Sequence, residues 1–302
     1  MNGHDILAFS DIERIKLYMK IYVASAFSKD NAGGNKAGVI VKDYNLTNKQ
    51  KMKIAEVLGY SETAFVSESK IADFKLEYFT PVEEVPMCGH ATIATFIVLR
   101  SLGNLSKLEY KIETKAGILK ISIEGDLILM EQKTPLYLEV ISSSGVANCI
   151  DSSALHEDYP IQIVSTGLKD IIVPISSEDK LKNIRPDFGE MIKISKDKDV
   201  IGIHAFALIN NDKSTAICRN FAPLYGINEE SATGTSNCAL ACYLFKYGIK
   251  KEKYTFEQGY ELGNPSRIFV YIQSDKDNIL NVAVGGNGYV VEMINIDIED
   301  IE

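Results

Sequence analysis

Two stretches of the chain, CGHATIATFIVL (Cys88–Leu99) and TGTSNCALACYLF (Thr233–Phe245), carry no Lys, Arg, Asp or Glu on any face. A helix that is apolar all round is buried all round, so each stretch predicts a helix sheathed by other elements. Each opens on a glycine, Gly89 or Gly234, followed by small polar residues. Each is preceded by two adjacent glutamates, Glu83 and Glu84 or Glu229 and Glu230. Laying Gly89 on Gly234 puts His90 on Thr235 and Ala94 on Ala239. This is a weak internal repeat, once per half-chain.

Around these helices the chain reads as short strands broken by Gly, Asn and Asp. Strands are expected at Lys20–Phe27, Lys36–Val41, Thr63–Ser67, Asp73–Phe79, Leu108–Thr114, Gly117–Glu124 and Leu127–Gln132. The second half repeats the style at Ile161–Thr166, Ile171–Ile175, Ile203–Leu208, Ala216–Phe221, Lys253–Glu257, Arg267–Ile272 and Leu280–Val284. Shorter helices are expected at Thr47–Leu58, with Thr47 as cap, and at Glu178–Ile184 and Phe188–Lys196. The picture is two similar β-rich domains, each curled around one central helix, with both helix N-termini aimed into the cleft between them. A helix N-terminus presents free N–H groups and partial positive charge, so two of them facing one cleft suit a carboxylate.

Composition narrows the function. Hydrophobic residues at 46% and charged residues at 24% provide a real core in 302 residues, enough for two domains. A net charge of −9 argues against nucleic acid as partner. The Lys-rich patches Asn48–Lys53 and Lys246–Lys253 read as solvated faces. No apolar run approaches the ~20 residues of a membrane span, and MNGHDILAFSDIERIK, with Asp5 near its start, does not resemble a signal peptide. Five cysteines without a CxxC pair fit reduced thiols and a cytoplasmic protein. Cys238 and Cys242 lack the neighbours of a zinc site. With no P-loop and no GxGxxG after a strand, no cofactor and no metal are expected.

Few residues remain to carry chemistry. His90 stands at a helix start, where the dipole favours the neutral imidazole, able to donate or accept a hydrogen bond. A histidine closing a turn has the same signature. Glu62, in GYSETAFV, sits at the mouth of an apolar strand, where partial burial would raise its pKa and suit it to general acid/base work. A solvated loop glutamate reads the same way. Cys88 is a lowered-pKa thiol or, preferably, a small buried hydrophobe. Thr235 and Ser236 are candidate caps for the second helix. Glu230 either reaches a ligand or faces water.

Taken together, the motifs resemble the PhzF-like family of phenazine-biosynthesis isomerases. FTPVEEVPMCGHATIAT (Phe79–Thr95) is similar to that family's first-domain signature, and GGNKAGVIV (Gly33–Val41) to its GNPAGVV segment, with Lys36 for proline. SETAFV carries the family's glutamate at Glu62. NEESATGTSNCALA (Asn228–Ala241) is similar to EDPVTGSAHCALA, with Glu230 for aspartate, Ser231 for proline and Thr235 for serine. EQGYELGNPSRIFV (Glu257–Val270) resembles the QGxxxGRP segment, with Asn264 for arginine, and VAVGGNGYVV (Val282–Val291) the closing VGG strand. The set runs in order over about residues 17 to 298.

The resemblance implies the diaminopimelate-epimerase-like α+β fold. Its two pseudo-symmetric, mostly antiparallel barrel-like domains would span 17–134 and 135–302, the last strand able to return to the first domain. It implies a homodimer, no cofactor and a small carboxylate substrate. Glu62 would be the general acid/base and His90 would position substrate. Gly89 and Gly234 would offer backbone N–H groups to a carboxylate, with Glu230 and Thr235 as further substrate contacts. Related racemases place a cysteine on each side of the substrate carbon. Cys88 occupies the first place, but the second falls near Thr233, and Cys238 should point into the core. The expected chemistry is therefore a one-glutamate proton shuttle between carbons of a small carboxylated metabolite, cyclic or amino-bearing. A Cys88 racemase with another base and a non-catalytic binder of small acids are the alternatives.

Overall fold

A computed structural model describes residues 18–209 and 213–297. Their 18 strands join in one hydrogen-bonded series, with few helices. The same run of elements occurs twice. In the first half Asn35–Ile40 pairs in parallel with Thr63–Ser67 across helix Asn48–Leu58. Phe74–Phe79 then pairs in parallel with Glu109–Thr114, and the crossover is the apolar helix Gly89–Ser101. In the second half Lys169–Ile175 pairs with Gly202–Leu208 across helices Glu178–Lys182 and Phe188–Lys198. Ala216–Ala222 then pairs with Lys253–Gln258 across the apolar helix Gly234–Lys246. Parallel neighbours need a long crossover, so these four connections fix where each helix lies. The other pairings are antiparallel.

Two pairings join the chain's distant parts. Gly288–Asp297 pairs with Tyr18–Ala26, and Asn278–Gly286 with Leu127–Gln132. The GGNG turn between the last two strands passes very close to its neighbours. A Cβ at Gly285 would stand 2.3 Å from the Ile128 carbonyl oxygen, and one at Gly288 would stand 2.1 Å from Ile97 Cδ1. Only glycine allows that approach.

Burial follows the composition of each helix. His90 through Leu99 are all buried, as are Gly234 through Phe245, and both helices share one large apolar cluster. The amphipathic helices Asn48–Leu58 and Phe188–Lys198 instead close two satellite clusters on the outside, around Ile54 and Met191. Thr47 caps the first of these reciprocally with Gln50, and Gly59 ends it at φ 69°. No helix among the described residues is long and apolar enough to cross a membrane.

Strand Leu136–Ile141 has no counterpart in the sequence reading. Its apolar Leu136, Leu138 and Val140 face outward, so no buried alternation marks it. Met1–Lys16, including the segment read against a signal peptide, lies outside the described residues.

The Phe96 ring, fully buried, meets Phe74 and Tyr110 edge-on at centroid distances of 6.2 and 5.5 Å. Phe96→Ala should lower the unfolding free energy by about 3–5 kcal/mol with an unchanged denaturant slope, measured by urea unfolding. A loss below about 1 kcal/mol would show that the central helix is not the packing centre.

Candidate active site

The two central helices begin at the walls of one cleft of about 1090 Å³. Cys88 is the N-cap of the first helix at φ −139°, ψ 118°, and Thr233 of the second at φ −126°, ψ 99°. Neither residue makes a side-chain capping bond. Ser236 does not cap the second helix either: its hydroxyl accepts from Asn220 Nδ2 at 3.2 Å and donates to Asp170 at 2.8 Å. Both first turns therefore keep backbone N–H groups without intrahelical partners. Gly89, His90, Gly234 and Thr235 all line the cleft.

Glu62 enters from the first half. The left-handed turn at Gly59 redirects the chain from helix Asn48–Leu58, and Tyr60–Glu62 then runs along the cleft into strand Thr63–Ser67. The Glu62 carboxyl, 14% exposed, lies 3.3 Å from His90 Nε2. That contact lacks hydrogen-bond geometry, and Glu62 Oε2 and His90 Nε2 are both buried without a partner. Burial, with the nearby Glu230 charge, pushes the Glu62 carboxyl up to about 8, against a smaller opposing effect of the Cys88 thiol. Burial alone pushes His90 down to about 4, so the imidazole is neutral.

On its other side, His90 Nδ1 lies 3.6 Å from Glu230 Oε1 and 3.5 Å from Cys88 Sγ. Glu230 comes from strand Ile227–Glu230 in the second half. Its carboxylate accepts from Asn35 Nδ2 at 3.0 Å and from the Thr233 hydroxyl at 2.7 Å. Gln258 braces the loop beneath, donating to the Glu230 carbonyl at 2.7 Å and accepting from Asn237 at 2.9 Å. Burial still holds Glu230 above the ordinary carboxylate range. The neighbouring Glu229 is committed elsewhere, held by Arg219 through two bonds of 2.8 Å.

The imidazole thus lies between carboxyls from the two halves without bonding either. Glu62, Cys88 and His90 also offer donor atoms within 4.8 Å of one another. Their closest approaches to the ring fall on opposite nitrogens, Glu62 at Nε2 and Cys88 at Nδ1. That suits a relay of polar groups better than one ion, which would take a single ring nitrogen. Cys88 is buried and its thiol pKa is raised well above the ordinary value, first by burial and then by Glu62. Cys238 is fully buried in the core.

Asp170 is a cleft residue that sequence reasoning missed. It is 1% exposed at the start of strand Lys169–Ile175. The available signal was an acid opening an apolar run, DIIVPI, the same signature that singled out Glu62. Asn264, which replaces the expected arginine, is not among the lining residues.

A two-lobed α+β architecture of this kind is the diaminopimelate-epimerase-like fold. Residues 24–293 match the family model of phenazine biosynthesis-like proteins, PhzC-PhzF. A PhzF-family protein of Bacillus anthracis superposes with a TM-score of 0.86 at 29% identity, over 93% of this chain and 99% of that one. An uncharacterized isomerase of Clostridium acetobutylicum is 35% identical over 90% of this chain and 95% of its own length. The trans-2,3-dihydro-3-hydroxyanthranilate isomerase of Pseudomonas chlororaphis is 28% identical over 88% of this chain and 95% of its own. The chain belongs to the PhzC-PhzF family and is an isomerase of the PhzF type.

The raised Glu62 pKa has a stability consequence. The folded state holds this proton up to about pH 8, whereas the unfolded chain releases it near 4.5. In that window the folded state binds more protons, so Glu62 costs stability increasingly as pH rises. Glu62→Gln should therefore melt above wild type near pH 8 and converge with it toward pH 4.5, read by thermal unfolding. A variant that melts below wild type at pH 8 would contradict the buried, unpaired geometry.

Proposed function

We propose that the protein moves a proton between carbons of a small carboxylated metabolite, cyclic or amino-bearing, without a cofactor, with Glu62 as the general acid/base. The observation that carries this reading is the Glu62 carboxyl, buried in the cleft beside neutral His90. A carboxyl poised near 8 is populated in both forms at physiological pH, so it can take a proton and return it. As carboxylate, Glu62 removes a proton from one carbon, and the electron pair moves into an enolate- or enamine-like system. As acid, it returns the proton to a second carbon.

His90 donates to or accepts from the substrate and positions it. The N–H groups at Gly89 and Gly234 hold the substrate carboxylate and stabilise developing negative charge. Glu230 and Thr235 complete the substrate contacts. The longer Glu230 and the added methyl of Thr235 alter the cleft relative to the family pattern, which favours a substrate other than dihydro-hydroxyanthranilate. A homodimer and a cytoplasmic location are part of the same proposal. The location is supported by Cys88, Cys149, Cys218, Cys238 and Cys242, all free.

A racemase using Cys88 is disfavoured by the raised thiol pKa and by the burial of Cys238 in the core. A binding protein without chemistry would not need Glu62 held above its ordinary pKa at a cost in stability.

The test is solvent deuterium incorporation followed by NMR, with small cyclic and acyclic amino and hydroxy acids as substrates. Wild type should place deuterium at a carbon, and Glu62→Gln should slow this by about 10²–10⁴-fold while keeping its circular dichroism. Exchange unaffected by Glu62→Gln would remove the mechanism. Loss of exchange on thiol alkylation at Cys88, with Glu62→Gln still active, would support the racemase.

A further inference from the structure

The floor of the cleft is polar and closed in, with Glu62, His90 and Glu230 largely buried beside the two helix ends. Its rim is the opposite. Val82, Leu168, Tyr225 and Leu262 all line the cleft, yet they are 78%, 43%, 58% and 40% exposed. Single exposed apolar side chains are ordinary, but four that converge on one opening from four separate turns mark a surface suited to being covered. The described lining holds no Lys or Arg, so a second anionic group on a ligand finds no ion-pair partner there.

Each turn holds its apolar residue in place. The Thr80 hydroxyl accepts from the backbone N–H groups of Val82 and Glu83 at 3.2 and 3.1 Å, closing a turn that presents Val82. The Thr166 hydroxyl donates to the Thr235 carbonyl at 3.2 Å, which ties the turn carrying Leu168 to the first residues of the second central helix. Gly226, at φ 78°, ends the turn Pro223–Tyr225 by donating to the Pro223 carbonyl at 3.1 Å, with Tyr225 left outward. A Cβ at Gly259 would stand 2.6 Å from the Ser231 carbonyl oxygen, so the turn Tyr260–Leu262 lies against the loop between Glu230 and that same helix. Leu168 and Leu262 are thus fastened to the segment that carries Gly234, where a substrate carboxylate is proposed to bind. A rim already fixed loses little conformational entropy when a ligand covers it. The cleft, about 1090 Å³, is also as large as the largest sites for drug-sized ligands, which run to roughly 1,000 Å³. A carboxylate and its reacting carbons fill only the floor.

We propose that this rim is an apolar subsite and that the substrate is a carboxylic acid bearing a hydrocarbon chain or ring, which lies against Val82, Leu168, Tyr225 and Leu262 while the carboxylate is held at the helix ends. The proposal rests on the small-carboxylate reading above. Hydrocarbon remote from the reacting carbons supplies binding energy without disturbing the proton transfer beneath it.

The test titrates butanoate, hexanoate and octanoate into the ¹⁵N-labelled protein and reads affinity from the amide shifts. Octanoate should bind wild type at least about tenfold more tightly than butanoate, since each methylene covered by the rim tightens binding. Leu168→Ser combined with Tyr225→Ser, both at exposed positions where serine leaves the core untouched, should cut that ratio to under about threefold. Should the double variant fail to fold by circular dichroism, Tyr225→Ser alone should still lower the ratio. Leu108→Ser, at an exposed leucine outside the cleft, should keep it. Equal binding of all the acids by wild type, the result if the rim side chains serve only to pack on one another, overturns the apolar subsite and leaves the carboxylate reading standing. A ratio that survives the double variant, or is lost equally in Leu108→Ser, does the same. Hexan-1-ol binding as tightly as hexanoate, or no acid binding at all, overturns the carboxylate reading and the proposal with it.

Discussion

Burying two helices that carry charge only in their last turns, and whose first turns no side chain caps, is the constraint on which the rest depends. A helix apolar on every face has to be wrapped, and the wrapping here is done twice by the same succession of strands and crossovers. The helix ends cannot be wrapped in the same way, because their N–H groups need polar partners. The fold places both ends at one cleft, where a ligand can supply what the protein withholds. The anion site proposed for the cleft would therefore follow from the packing of the core, not from Lys or Arg, of which the described lining has none.

The carboxyl groups beside those helix ends set the electrostatics of the cleft. Glu62, Glu230 and Asp170 are all held above the ordinary carboxylate range, each first by burial, and they reach the site from separate segments. His90 stands between the first two, its nitrogens 3.3 and 3.6 Å from carboxyl oxygens of the two halves. A protonated imidazole would form a tight ion pair and drive both carboxyls to low pKa. Burial prevents this by keeping His90 neutral, so neither carboxyl is drawn below its ordinary range. The histidine's contribution is thus as much the charge it lacks as the hydrogen bond it can make.

The central helices were legible in the sequence because their signal is local: an uncharged run after a glycine is visible without knowing any partner. Glu62 and His90 were legible for a related reason, since each stands at the first residues of a buried element. Asp170 carries a similar signature but was passed over, because its burial depends on contacts far away in sequence. It stands opposite Val164 on one strand and Gly202 on another, and its hydroxyl partner Ser236 is 66 residues on. The capping role expected of Ser236 failed for the same reason: a local reading gives a helix-start serine to its own helix, whereas the fold supplies the Asn220 amide as donor to its oxygen and Asp170 as acceptor for its proton. Strand Leu136–Ile141 escaped because Leu136, Leu138 and Val140 point outward while Tyr137 and Ile141 pack inward, so apolar residues fall on both faces and no two-residue alternation shows.

The departures from the family pattern are best understood through what holds each group. Replacing aspartate by Glu230 adds a methylene, and in a loosely held loop that would blur the carboxylate's position. Here Asn35 and Thr233 clamp the carboxylate, while Gln258 fixes the Glu230 carbonyl and reaches Asn237 within the second helix. The longer side chain is therefore held firmly, 3.6 Å from His90 Nδ1. A fixed displacement changes which ligand fits rather than whether the groups can act, because positioned groups keep their effect only for the substrate geometry they match. The changes at Glu230 and Thr235 leave the pair proposed for proton transfer, Glu62 and His90, in place and alter the surface presented to a substrate's remaining atoms.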